Sequence, residues 1–175
     1  VGVGMTKFMK PQKKPGMGPH YPDLARQAVL RALEDACVER KDIEQAVVGN
    51  MFEHGGAGQR SLYAAGIYDI PIFNVANACA TGSNALLLAR QFVAGGLNEC
   101  CLAVGVEKMQ PGSLNPTSAA HGGPTLLDFH MNVMNKARGF TKAPPMLQMF
   151  GNAGREHMEK YGTKARHFAM VGEKN

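Results

Sequence analysis

From Tyr21 onward, Leu24, Ala25, Ala28, Val29, Ala32, Leu33 and Ala36 recur three and four residues apart. That spacing puts them on one stripe of an α-helix. Pro22 suits its first turn, and Arg26, Arg31, Glu34 and Asp35 fall mostly outside the stripe. Cys37, close to the end of the apolar stripe, is expected to pack in the core. Shorter apolar runs, QAVVGNMF at 45–52, IPIFNV at 70–75 continuing to 77, and CCLAVGV at 100–106, predict buried strands. VGVGM at 1–5 predicts another. Between them, EHGGAG at 53–58 predicts a turn and 59–65 a short helix. A longer helix is predicted over 80–94, stopped by Gly95 and Gly96. Its apolar residues, Ala85 through Ala89, run nearly all round, which predicts burial on several sides.

Strand and helix alternate up to residue 106, so the fold class is α/β, a mostly parallel sheet with helices on both faces. After Val106 the texture changes. Residues 109–145 are rich in Gly, Pro, Ser, Asn and His and predict an irregular excursion from the sheet. Helices are expected over 146–161 and 163–174, split by Gly162. The division falls near residue 108, giving a core over 1–108 and the excursion over 109–175. Residues 6–20 predict a loop, with Lys7, Lys10, Lys13 and Lys14 as a solvated cluster.

The 175 residues are 45% apolar, enough for a sizeable core. The net charge of +5 suits an anionic partner; a nucleic acid and a phosphate-bearing cofactor both qualify, and composition does not choose. The four cysteines, Cys37, Cys79, Cys100 and Cys101, show no CxxC spacing, so no metal site is expected. No signal peptide and no apolar run of roughly 18 residues is visible, so no membrane span is expected, and a reducing intracellular setting fits. The chain opens on Val1 without an initiator methionine and is expected to be a portion of something longer.

Candidate chemistry centres on NACATGSNAL at 77–86. Cys79 lies between a predicted strand and a predicted helix. The positive end of the helix dipole and its unpaired N–H groups favour thiolate there. Ala80, Gly82 and Ser83 are small and leave room for a substrate carbonyl, and the Cys79 N–H could donate to an oxyanion. An ordinary buried thiol at a strand–helix junction accounts for the same residues equally well. Thr81 or Ser83 is expected to cap the helix. A cysteine nucleophile also needs a base, usually histidine. None of His20, His54, His121, His130, His157 and His167 has a spacing to Cys79 that identifies it. GGAG at 55–58 lacks the GxxxxGK(S/T) pattern of a phosphate loop, so a tight turn is expected.

The segment NACATGSNAL resembles the nucleophilic-cysteine motif of thiolases of the sterol carrier protein 2/X type. VGVGMTKF at 1–8, YPDLA at 21–25, GQR at 58–60, IPIFNV at 70–75, GVEKM at 105–109 and REHMEKYGTKARHFA at 155–169 agree in order and spacing. The likeness therefore covers essentially the whole chain. It implies two similar halves packed in five α/β/α/β/α layers, with a loop domain that covers the active site and holds coenzyme A. This chain would be the N-terminal half plus part of that loop domain. By resemblance, Cys79 attacks a 3-oxoacyl-CoA and becomes acylated. Acetyl-CoA or propionyl-CoA leaves, and coenzyme A as second substrate takes the shortened acyl group; no metal is involved.

The resemblance further implies straight, branched and sterol side-chain substrates, a peroxisomal setting, and a homodimer with residues 72–76 near the interface. No nucleic-acid partner is implied. Met149 is expected against the acyl group, and Lys136, Arg138 and Lys142 are candidates for the phosphates of coenzyme A. The family's second cysteine, GHP histidine and His/Asn oxyanion motif lie in the second half. This sequence has no GHP, and no CxG after Cys79. The chain is therefore expected to lack turnover alone and to expose an apolar partner face on 1–106. A ketoacyl or hydroxymethylglutaryl synthase of the same superfold has flanks unlike CATGS. A non-catalytic thiolase-like protein that binds lipid or acyl-CoA is the alternative from another class.

Overall fold

The computed structural model describes residues 1–10, 17–110, 113 and 126–174, and only the backbone of 126 and 127. Lys13, Lys14, His121 and most of the stretch 111–125 lie outside the described residues. The chain forms two compact units, Val1–Pro111 and Gly112–Asn175, each taken by itself.

In the first unit, helix α1 (Tyr21–Ala36) precedes strand β1 (Gln45–Gly49). Helix α2 (Ala57–Ala64), strand β2 (Ile72–Val75), helix α3 (Thr81–Ala94) and strand β3 (Cys101–Gly105) follow. The sheet order is β2-β1-β3. Both pairings are parallel, with Ala46 opposite Ile72 and Leu102, and Gly49 opposite Val75 and Gly105. Parallel neighbours need a crossover, which α2 and α3 supply.

The pleat explains why β1 is apolar throughout rather than alternating. Ala46 and Val48 face a core with Val29 and Leu33 of α1 and Leu62 of α2, joined by Leu102 and Val104 of β3. Val47 faces the opposite side, against Ala85 and Ala89 of α3, with Val75 and Ala103 alongside. Helices therefore cover both faces of the sheet. Asn74 ties α2 to β2: its Oδ1 accepts the Gly58 N–H at 2.7 Å and its Nδ2 donates to Gln59 Oε1 at 2.9 Å.

Four expectations change. Residues 1–5 form no strand among the described residues. Val3 N–H instead donates to the Asp35 carboxylate at 2.8 Å, and the Arg31 guanidinium donates to the Met5 carbonyl. Gly2 and Gly4 lie so tightly on Ala28, Ala32 and Ala36 that no Cβ would fit at either. Helix α3 is not buried all round; it presents Thr81, Ala85 and Ala89 inward, while Leu86, Leu87 and Val93 stay 65%, 50% and 43% exposed. Small residues on the inner stripe let the helix seat closely on the sheet, with Leu88 and Phe92 half-buried beside them, while Leu86 and Leu87 point to solvent. Cys37 is exposed, not core. It ends α1 in a left-handed turn with φ of 54°, which swings it off the apolar stripe.

The fourth change is in the second unit, where α4 (Leu126–Arg138) occupies part of the expected irregular stretch. Helices α5 (Pro145–Tyr161) and α6 (Ala165–Lys174) follow, with Gly162 at φ of 70° ending α5. Buried Gln148 ties the α4–α5 turn together. Its Oε1 accepts the Thr141 N–H at 2.9 Å and the Thr141 hydroxyl at 3.1 Å, while its Nε2 donates to the Gly139 carbonyl at 2.6 Å.

Candidate active site

In a parallel sheet every strand delivers its carboxyl end to the same side, and ligand crevices form there. A groove of about 730 Å³ opens at that edge. Its walls come from Gly49–Met51 after β1, Ala78–Cys79 after β2, and Gly105–Gln110 after β3, with the N-terminal segment opposite.

Cys79 is exposed in this groove. The turn that carries it is held by Thr81, which is only 7% exposed. The Thr81 hydroxyl accepts the Asn77 N–H at 2.7 Å and donates to the Ala78 carbonyl at 2.7 Å. Neither Thr81 nor Ser83 caps α3; the N-cap is Ala80, with no side-chain bond. The threonine serves the turn before the helix instead. Ala78 takes a left-handed φ of 45°, a conformation costing a non-glycine residue on the order of 1–3 kcal/mol. Gly82, in the first turn of α3, has nothing within 4 Å of where a Cβ would stand, so the approach beside the thiol is open.

Across the groove, the Glu107 carboxylate accepts the Met51 N–H at 2.8 Å and the Phe52 N–H at 3.3 Å. This clamps the loop after β1 to the exit of β3. Next to it, the Lys108 ammonium nitrogen is shielded from water with no hydrogen-bond partner among the described residues.

Residues 1–170 match the thiolase N-terminal domain family. The chain belongs to the thiolase family. It is 48% identical to "Non-specific lipid-transfer protein-like 2" of Caenorhabditis elegans over 100% of this chain and 42% of that protein. It is 49% identical to human "Sterol carrier protein 2" over 100% of this chain and 31% of that protein. The chain thus spans less than half the length of these relatives. Among solved structures, the 3-oxoacyl-[acyl-carrier-protein] synthase III of Aquifex aeolicus aligns with 53% of this chain and 31% of its own, at a TM-score of 0.45 and 19% identity.

Among the described residues of the first unit, no histidine joins Cys79 in the groove of this thiolase chain. In the first unit, neither His20 nor His54 lines the groove; each uses its backbone carbonyl to start a helix, His20 accepting the Asp23 N–H and His54 the Ala57 N–H. In the second unit, His157 Nδ1 meets the Thr163 hydroxyl at 2.8 Å, His167 Nδ1 accepts the Lys164 N–H, and His130 sits edge-on to Phe129. Met149 is half-buried on α5. Of the phosphate candidates, Arg138 is committed to a two-pronged pair with Glu159 at 2.6 and 3.1 Å, while Lys136 and Lys142 are exposed. Burial pushes the Cys100 and Cys101 thiols up, with nearby acidic groups adding to it for Cys100, and Cys100 and Glu44 adding to it for Cys101. β2 is an edge of the described sheet, with Phe73 half-exposed on it. No group of His, Cys, Asp or Glu among the described residues could hold a metal. No described helix is long and apolar enough to cross a membrane.

Glu107 and Lys108 carried no role in the sequence reading. The available signal was two charged residues immediately after a buried parallel strand, where crevices form.

The Glu53 carboxyl is held above its usual range, chiefly by burial and then by the Glu107 carboxylate. A raised folded-state value means that ionising Glu53 opposes folding, so its contribution to stability is lost as pH rises through that value. Glu53→Gln is expected to melt slightly higher than the parent at neutral pH, by about a few tenths of a kcal/mol after solvent screening. The advantage should vanish below the ordinary carboxylate value of 4.5. Paired thermal melts across this range check both sign and window.

Proposed function

We propose that this chain carries the nucleophilic part of a thiolase: Cys79 takes an acyl group from a 3-oxoacyl-CoA, and coenzyme A receives it. The observation that carries the reading is an exposed thiol in a groove at the carboxyl ends of all three described strands, within a chain matched to the thiolase N-terminal family. Residues 1–108 serve as the N-terminal core half and 109–175 as part of the loop domain, with Met149 directed to the acyl group. Chemically, the Cys79 sulfur adds to the 3-oxo carbonyl and the bond between the α-carbon and that carbonyl breaks. The CoA-bearing carbanion then takes a proton and leaves as a shorter thioester.

No metal enters this scheme, and coenzyme A is a substrate. A peroxisomal setting and a homodimer with residues 72–76 at the interface follow from the same family reading, with β2 available as an edge. A second reading is a binding protein for acyl-CoA or lipid without catalysis. It is favoured by the lack of any described histidine among the residues lining the Cys79 groove.

The test is incubation of the chain with a 3-oxoacyl-CoA, followed by intact-mass and peptide analysis. Acyl transfer to Cys79 is expected to stop after at most one event, since no described histidine lines the groove. No adduct on Cys79 favours the binding reading, and sustained CoA-dependent cleavage overturns the expected lack of turnover.

A further inference from the structure

The groove has a second chemical feature besides its thiol. Met5, Met9, Met17, Met51 and Met109 all line it, a flexible, polarizable apolar wall that adapts to varied chains. Set into that wall is Lys108, half-buried, with its ammonium nitrogen shielded and no hydrogen-bond partner among the described residues. A shielded ammonium without an oxygen partner is costly. The adjacent Glu107 gives its carboxylate oxygens to the Met51 and Phe52 N–H groups and makes no hydrogen bond to this ammonium. Glu53 feels the Lys108 charge, which lowers its carboxyl value against the raising effects of burial and Glu107, but it makes no hydrogen bond to the ammonium.

We propose that Lys108 is the polar anchor of this groove, holding the anionic oxygen of an amphiphilic acyl ligand whose chain lies along the methionine wall beside Cys79. The inference rests on the acyl-cysteine reading for the placing of the ligand, but its charge recognition can be measured without it.

Two probes of similar size and opposite polarity test it. In iodoacetate and iodoacetamide alike the Cys79 sulfur bonds to the methylene carbon and iodide is released to solvent, but only the first carries a carboxylate. The ratio of the iodoacetate rate to the iodoacetamide rate at Cys79 is expected to fall about fivefold in Lys108→Met. Lys108→Arg, which keeps the charge, should retain it, and Lys108→Gln gives the same readout if the methionine variant is lost to misfolding. By calorimetry, decanoate should bind the parent about fivefold more tightly than Lys108→Met, and decanol should bind both alike. An unchanged rate ratio together with equal decanoate affinity overturns the anchor. If Cys79 takes up neither reagent, the nucleophile reading fails, and the decanoate comparison still decides Lys108.

Discussion

Cys79→Ala is expected to abolish the acyl adduct completely while leaving the fold intact. The two halves of that statement have separate physical causes. The thiol is exposed in the groove, so little packing is lost on truncation, and surface substitutions of this kind stay within about ±0.5 kcal/mol. No other cysteine is equipped to substitute for it. Cys100 and Cys101 are partly buried on β3 with their thiols pushed up, which keeps them protonated and poor nucleophiles. Cys37 is exposed but sits in the turn that ends α1, away from the groove-lining residues. Peptide mapping after exposure to a 3-oxoacyl-CoA, alongside a thermal melt, checks both parts. An adduct of undiminished yield in the variant would remove Cys79 from the mechanism. A large fall in melting temperature would make it a structural residue.

Gly49→Val is expected to damage the site strongly while leaving every groove-facing functional group in place. Gly49 ends β1 against the first turn of α3. A Cβ there would stand 2.6 Å from Thr81 Cγ2 and 3.0 Å from the Thr81 carbonyl oxygen. Thr81 cannot yield freely, because its hydroxyl holds the Asn77 N–H and the Ala78 carbonyl in the turn before the helix. Overpacking of this kind costs about 1–3 kcal/mol, which at this chain length lowers the melting temperature by roughly 2–4 °C per kcal/mol. The displaced turn carries Cys79, so its alkylation rate should change together with stability. Gly82→Ala is the control. It adds a methyl group on the same helix where nothing lies within 4 Å, and its melting temperature should be no lower than the parent's. A Gly49→Val protein with parental melting and parental Cys79 reactivity would show that the strand end and the nucleophile turn are not coupled.

The helices were the most legible part of the sequence. α1 and α3 begin and end where the three-and-four spacing, Pro22 and Gly95 put them, because those signals are local. The strands were found with ends one to three residues too long, since apolar runs continue past the last paired position. VGVGM was misjudged because alternating valine and glycine suits a strand and also suits an extended segment pressed onto an alanine stripe; only the tertiary partner decides. α4 was hidden by the glycine, proline and serine around it. The outward leucines of α3 were equally invisible, because composition does not say which sides of a helix have neighbours. At the site, Cys79 stood out from its own flanks. Glu107 and Lys108 did not, since their roles depend on β1 and β3 ending side by side, a pairing of residues more than 50 positions apart.

The outward leucines have a thermodynamic consequence. The heat capacity gained on unfolding comes mainly from apolar surface newly wetted. Leu86, Leu87, Val93 and Leu97 are already about half or more wet in the folded chain, so unfolding adds less for them than for covered residues. The heat-capacity increment should therefore fall below the roughly 12–15 cal/mol/K per residue of ordinary domains. With it the stability curve flattens, so that warming and cooling both change the balance more gently than for a fully covered fold of this length.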